Sequence, residues 1–403
     1  RMKMNYSKEE VKEFIEQEDV KFIRLAFCDI NGKQKNISIS PSEIDRAFDE
    51  GISFDAYAID GFGNELKTDL MLHPISKTLN VLPWRPAQGK VIRMFCNIKY
   101  PDGTPFELDT RKILENAVKE AKSMGLTVQF GTEFEFYLFK TDENGNRTNI
   151  PFDNAGYMDV APEDKGENVR REICLTLLEM GINPESSLHL DGPGQNEIDF
   201  RYADAITAAD NAMNFISVVK AAALHNGLYA DFSPKPISDK PGNGLHINIS
   251  VKGEGEESYN EKFMAGVMEH ICEITAFLNT KEDSYKRLGE HTAPKYVTWT
   301  KENRSQLIRI PERRNNNKRF ELRSPDPCAN PYLAFAVLIY AGLDGIKKNL
   351  ELPEPCNINI KDADKSVKDK LKKLPESLEN AREIAANSPF INSVINKAVL
   401  NLL

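Results

Sequence analysis

Four short segments of this chain carry ionic or polar side chains at every second position, and that spacing suits a β-strand and no helix. In Val128-Gln129-Phe130-Gly131-Thr132-Glu133-Phe134-Glu135-Phe136, two glutamates alternate with phenylalanines. Successive side chains of a strand point to opposite faces, so Glu133 and Glu135 share one face and the aromatic rings fill the other. The same alternation sets Glu197 and Asp199 opposite Ile198 and Phe200. It sets His246, Asn248 and Ser250 opposite Leu245, Ile247 and Ile249, and the row Arg319, Glu321, Arg323 opposite Phe320 and Leu322. One such strand alone reads equally well as a solvated outer face. Four of them imply a common ionic surface over a shared core. Neighbouring carboxylates repel unless they are protonated, hydrogen-bonded or bridged by a cation. Carboxylates with a single imidazole suit Mg²⁺ or Mn²⁺ better than zinc. Interleaved arginines imply anionic ligands beside the metal, as in phosphoryl transfer. The turns Asp191-Gly192-Pro193-Gly194 and Pro241-Gly242-Asn243-Gly244 precede two of these strands and let backbone approach a ligand closely.

The rest of the chain is organised around this surface. At 403 residues it is long for one domain, and 40% hydrophobic content supports a sizeable core. A short helix is expected at 7–19, then a hairpin through Asn31-Gly32, a helix near 41–50 and strands at 79–82 and 90–98. The turn Pro101-Asp102-Gly103-Thr104-Pro105 is the expected boundary, giving an α+β chain with domains 1–103 and 104–403. Helices are expected at 110–124, 207–226, 261–279, 331–347, 375–387 and 389–402, with a charged surface connection at 351–370. The net charge of -9 carries no basic stripe, so neither nucleic acid nor an anionic membrane is an expected partner. Arg1-Met2-Lys3-Met4 begins no apolar leader, and no run is long enough to span a bilayer, so a cytoplasmic protein is expected. Six scattered cysteines without a C-x-x-C fit reduced thiols.

Taken in order, these motifs resemble the type I glutamine synthetase family over nearly the whole chain. The resemblance rests on Gly131-Thr132-Glu133-Phe134-Glu135, Gly194-Gln195-Asn196-Glu197, Gly242-Asn243-Gly244-Leu245-His246, Asn303 to Pro311 and Arg319-Phe320-Glu321-Leu322-Arg323. It implies an N-terminal β-grasp domain followed by a catalytic domain with a curved antiparallel sheet flanked by helices. It also implies a homo-oligomer, a double-ring dodecamer in the family, with sites shared between neighbouring subunits. The implied reaction is ATP-dependent ligation of glutamate to ammonia through a γ-glutamyl phosphate. Residue by residue, Glu135 and Glu197 resemble ligands of a first metal, and Glu133, His246 and Glu321 those of a second. Arg287, Arg304 and Arg323 match arginines that hold glutamate and the moving phosphoryl group, and Gly242 meets the glutamate. Arg309 and Arg319 match arginines on the ATP phosphates, while Glu185 and Ser250 match nucleotide contacts. Asp55 matches an aspartate that binds ammonium from the adjoining subunit.

The chain departs from that pattern on the glutamate and ammonium side. Leu190 stands at the third ligand position of the first metal. Asp191 is adjacent, and strand alternation would turn it away from the site unless a bulge re-aims it. Thr292, in His291-Thr292-Ala293-Pro294, replaces the family's closing glutamate, leaving His291 or Glu290 to act as base. Three readings follow: ligation of an amine other than ammonia, ordinary glutamine synthesis, or a non-catalytic nucleotide-binding homologue.

Overall fold

The computed structural model describes residues 5–62, 68–253, 258–311 and 319–403. Ser7 opens the first helix, Lys8–Gln17, with a reciprocal cap: its hydroxyl accepts from the Glu10 N–H, and the Glu10 carboxylate accepts from the Ser7 N–H. Val20–Cys28 then pairs antiparallel with Gln34–Ile39 across the Asn31-Gly32 turn and parallel with Lys90–Lys99. Leu70–Pro74 and Ile52–Phe54 extend this mixed sheet on its far side. Alternation marks neither: Ile52–Phe54 has three residues, and Leu70-Met71-Leu72 is apolar at successive positions. The result is the expected N-terminal β-grasp sheet.

The second sheet carries the ionic surface. Its order is Trp299–Thr300, Ile308–Arg309, Phe320–Leu322, Leu245–Gly253, Leu126–Thr141, Gln195–Phe200, Pro184–His189. All four strands read from the sequence are present and adjacent, paired antiparallel. Register follows from the apolar face. Phe134, Phe136, Ile198, Phe200, Ile247, Ile249, Phe320 and Leu322 are all buried. Phe134 and Phe200 meet Phe215 on the helix Ala205–His225, at ring separations of 5.0 and 4.8 Å. A slip by one residue would exchange the faces and expose these side chains, at roughly 1.5–3 kcal/mol each. Packing on one face thus fixes which carboxylates meet on the other.

The helices Ser258–Leu278 and Pro331–Lys347 cross beneath the sheet at close range. A Cβ on Gly266 would lie 2.2 Å from the Ala341 carbonyl oxygen and 2.7 Å from the Gly345 nitrogen. Backbone cannot retreat as a side chain does. Gly266→Ala is therefore expected to destabilise the fold by about 2–3 kcal/mol, read as a lower urea midpoint at unchanged slope.

The expected helix over 389–402 is two helices, Pro389–Val394 and Lys397–Leu400. Ile395 between them is extended, and the Asn396 side chain accepts from the Ala398 N–H at 2.8 Å, restarting the helix. Glu167–Glu179 is a further helix, and the 351–370 connection contains two single turns, Ile360–Asp362 and Lys365–Lys368. The cysteines are unbridged. Among the described residues no helix is long and apolar enough to cross a membrane.

Candidate active site

Cross-strand register assembles the ionic side chains. His246 and Asp199 both lie opposite Glu133, Glu197 lies opposite Glu135, and Asn248 opposite Glu321. Glu133 accepts from Asn248 Nδ2 at 2.8 Å and meets His246 Nδ1 at 3.2 Å. Burial alone would raise its pKa. The bonds and charge of His246, the Asn248 amide and the Arg323 charge outweigh that and bring it to about 2. Glu135 accepts from the Gly244 N–H at 2.6 Å. Glu321, only 1% exposed, is gripped by Arg309 Nε at 2.9 Å and Arg323 Nη1 at 2.5 Å.

The other end of the row is under-compensated. Burial, then the charges of Asp199, Glu135 and Glu133, push Glu197 well above the carboxylate range. Burial and Glu133 likewise raise Asp199. A bridging cation would offset this crowding. Ligand atoms of Glu133, His246 and Glu321 lie within 4.8 Å of one another, as do those of Glu135, Glu197 and His246, and of Glu133, Glu197 and Asp199. Oxygen donors with one imidazole and no thiolate fit a hard divalent ion. His246 can serve either group, since Nδ1 faces Glu133 and Glu321 while Nε2 lies 3.8 Å from Glu135.

These residues line a cavity of about 390 Å³. Arg304, Arg309, Arg319 and Arg323 form its basic wall, and Gly242 forms part of its lip. Four of the residues singled out in the sequence lie outside the wall. Arg287 is buried behind it, donating to the Ser324 carbonyl at 2.7 Å and the Arg323 carbonyl at 3.1 Å. Ser250 lies further along its strand, opposite Gln129. Glu185 is exposed on Pro184–His189. Asp55 is exposed in the first sheet's domain, where its carboxylate accepts from the Tyr57 N–H at 3.0 Å.

Asp191 corrects the sequence reading. The strand ends at His189, so alternation no longer governs it. Leu190 N–H still reaches the Gln195 carbonyl at 2.9 Å, but Gln195 N–H then closes a turn on Gly192 at 3.0 Å. That turn puts Asp191 on the cavity rim with Leu190. Leu188, directly opposite Glu197, and Leu190 share its face and give this end of the cavity an apolar wall. Tyr157 joins them from a loop without periodicity, which is why no pattern marked it. His291 and Thr292 complete the rim, whereas Glu290 lines a separate groove with Arg147 and Lys235. Burial, then Lys235 and Lys361, lower the His291 pKa, so the imidazole favours its neutral, proton-accepting form.

The lip at Gly242 has no room for a side chain. A Cβ there would lie 2.3 Å from the Pro234 carbonyl oxygen, which is itself held by the Asn243 N–H at 3.0 Å. Gly242→Ala should cost about 2 kcal/mol in chemical denaturation and displace the lip, with a matching loss of turnover.

Comparison with known proteins agrees with this arrangement. The family model described as glutamine synthetase, catalytic domain, matches residues 107–402, and the glutamine synthetase β-grasp domain model matches residues 19–101. A relative from Clostridium saccharobutylicum, named glutamine synthetase, is 46% identical over 368 residues, covering 88% of this chain and 83% of its own. One of the same name from Methanosarcina mazei is 41% identical over an alignment of 415 residues, covering 99% and 93%. A solved structure titled as a GmaS/ADP complex superposes with a TM-score of 0.87 at 27% identity, covering 97% of this chain and 93% of that one. The cryo-EM structure of Plasmodium falciparum glutamine synthetase, at 22% identity and a TM-score of 0.87, covers 100% and 95% and attests the fold.

Proposed function

The chain belongs to the glutamine synthetase family of ATP-dependent ligases, and from that premise we propose that it joins glutamate to an amine bearing a carbon tail. The observation that carries the amine assignment is the apolar pair Leu188 and Leu190 beside Glu197, in a cavity whose rim has Thr292 in place of a carboxylate. Where a small cation needs carboxylates, an alkyl group needs surface that does not have to be desolvated.

In this reading a glutamate γ-carboxylate oxygen attacks the γ-phosphorus of ATP, ADP leaves, and a γ-glutamyl phosphate forms. The amine nitrogen then attacks the acyl carbon, phosphate departs, and the amine's proton passes to a base at the rim. Glu133, His246 and Glu321 would hold one Mg²⁺ or Mn²⁺ and Glu135 with Glu197 another. When bound, such ions offset phosphate charge and polarise the transferred group. Arg309 and Arg319 steady the ATP phosphates, with Glu185 and Ser250 toward the nucleotide. Arg304 and Arg323 stabilise the group in transfer. Gly242 offers backbone to the glutamate, and Arg287 supports that lip from behind, where its side chain packs on Gly242. Asp55 would act in a neighbouring subunit of a homo-oligomer, an assignment supported by its exposure outside its own chain's cavity. We take residues 1–103 and 104–403 as the two domains, supported by the tight turn in which Gly103 N–H reaches the Tyr100 carbonyl at 2.9 Å.

Ammonia is the second reading, favoured by the names of relatives at 46% and 41% identity. Phosphate release from ATP, with glutamate and a panel of ammonia and primary alkylamines, separates the two. Faster release with an alkylamine at equal free-base concentration is the expected result. Release with ammonia alone would end the alkylamine assignment. Chelation of divalent ions should stop release with every amine.

A further inference from the structure

Beneath the cavity rim lies a second ionic cluster that plays no part in the chemistry above. His189 and Asp153 are essentially inaccessible, with side-chain exposures of 0% and 1%. His189 Nε2 is 2.9 Å from Asp153 Oδ1, and Nδ1 is 2.7 Å from the Leu190 carbonyl oxygen. The Leu190 carbonyl can only accept, and so can Asp153 when ionised; both ring nitrogens then donate, and only an imidazolium has two N–H groups. The surrounding charges require the same. Asp164 is paired with Arg170, and the cluster of Asp153, Asp164, Arg170 and His189 is neutral only if His189 is charged. With Arg170 already present and both imidazole nitrogens engaged, no ligand atom of His189 is left for a metal.

The pair ties together both segments of the substrate-side rim. Asp153 Oδ1 also accepts from Gly194 N–H at 2.9 Å, and Oδ2 from Lys165 N–H at 3.0 Å. The His189 carbonyl accepts from Met158 N–H at 2.9 Å, next to Tyr157. The Tyr157 loop and the Leu190–Gly194 turn thus hang from one buried contact.

We propose that His189 and Asp153 are positioning residues that hold Tyr157, Leu190 and Asp191 in place and so set affinity for the nitrogen nucleophile rather than for ATP. This rests on the ligase reading, in which that rim receives the amine. The charged groups acting on His189 are Asp153 and Asp164 from the connecting loop; Arg170, from the helix Glu167–Glu179, pairs with Asp164 and donates to Asn196 on the adjoining strand. Burial opposes the imidazolium, but Asp153, the Leu190 carbonyl and Asp164 outweigh it, so the pKa is raised. Burial likewise opposes the Asp153 carboxylate, yet His189 and the backbone donors lower its pKa. The contact is therefore complete between those limits. It weakens as pH rises through the folded His189 value or falls through the folded Asp153 value.

His189→Gln, which cannot donate to both partners, tests this in the full chain. The KM for the nucleophile should rise about tenfold, the scale seen when a hydrogen bond supporting a site residue is lost. The KM for ATP should stay within about twofold. Equal rises in both, or none, would overturn the proposal. Should that variant fail to fold, Asp153→Asn is read on the same two KM values, and histidine C2–H deuterium exchange, read by mass spectrometry in the unaltered protein, decides whether the pair is charged. Its midpoint for His189 should lie above the ordinary value of about 6.5, and a midpoint at or below it refutes the charged pair. An unaltered chain inert toward every amine would remove the ligase reading and the nucleophile claim together, while the exchange midpoint would still decide whether the pair is charged.

Discussion

Glu321→Ala is expected to lower ATP-dependent phosphate release by about a thousandfold, the scale on which a lost electrostatic partner of the transferring group is felt. Glu321 is the point where two functions meet. It is a candidate metal ligand with Glu133 and His246, and it is the anion that Arg309 and Arg323 grip. Its removal takes away the ligand and leaves two cavity arginines, one of them 4% exposed, without their carboxylate. Uncompensated buried charge costs about 3–5 kcal/mol, so stability should fall as well. Glu321→Gln separates the two effects. The amide keeps the shape and one acceptor, so thermal stability should fall less than in the alanine variant while turnover stays low. Turnover near that of the unaltered protein in Glu321→Gln would show that the carboxylate charge is not needed.

Leu190→Glu is the complementary change, and its largest effect should be on preference. A carboxylate there would face Glu135 and Glu197 across the end of the cavity that now lacks compensation. Without metal the added charge should destabilise the chain. With Mn²⁺ it should supply a further ligand, tightening binding about tenfold or more. The ratio of turnover with ammonia to turnover with an alkylamine should rise by about ten- to a hundredfold, since apolar surface is exchanged for charge. Titration of bound Mn²⁺ by its electron spin resonance signal reads the first effect without any reaction. Unchanged metal affinity would mean that residue 190 does not reach the ion, and an unchanged amine ratio would remove the alkylamine assignment.

The residues that were legible in the sequence share a physical reason. Glu133, Glu135, Glu197, His246 and Glu321 sit on strands whose opposite faces are packed, so a period of two survives into the fold unaltered. Where regular structure stops, the pattern loses its meaning. Asp191 falls two residues past the end of Pro184–His189, and its direction is set by the turn at Gly192. Tyr157 reaches the cavity from a loop that no periodicity describes. The His189–Asp153 contact spans 36 residues of sequence and appears only when the edge strand and the loop are brought together. The break at Ile395 was hidden for a related reason, because a side-chain cap at Asn396 competes with a helix that local composition would allow.

The grip of Arg309 and Arg323 on Glu321 has a thermodynamic corollary. A cation arriving alone at Glu321 would compete with two guanidinium groups for the same oxygens, and a phosphate arriving alone would find those guanidinium groups already engaged. Each would pay to break the resident ion pair. Arriving together, they exchange partners: carboxylate to cation, arginines to phosphate. Cation and nucleotide should accordingly bind with positive cooperativity, each strengthening the other by the same factor, as reciprocity between linked ligands demands.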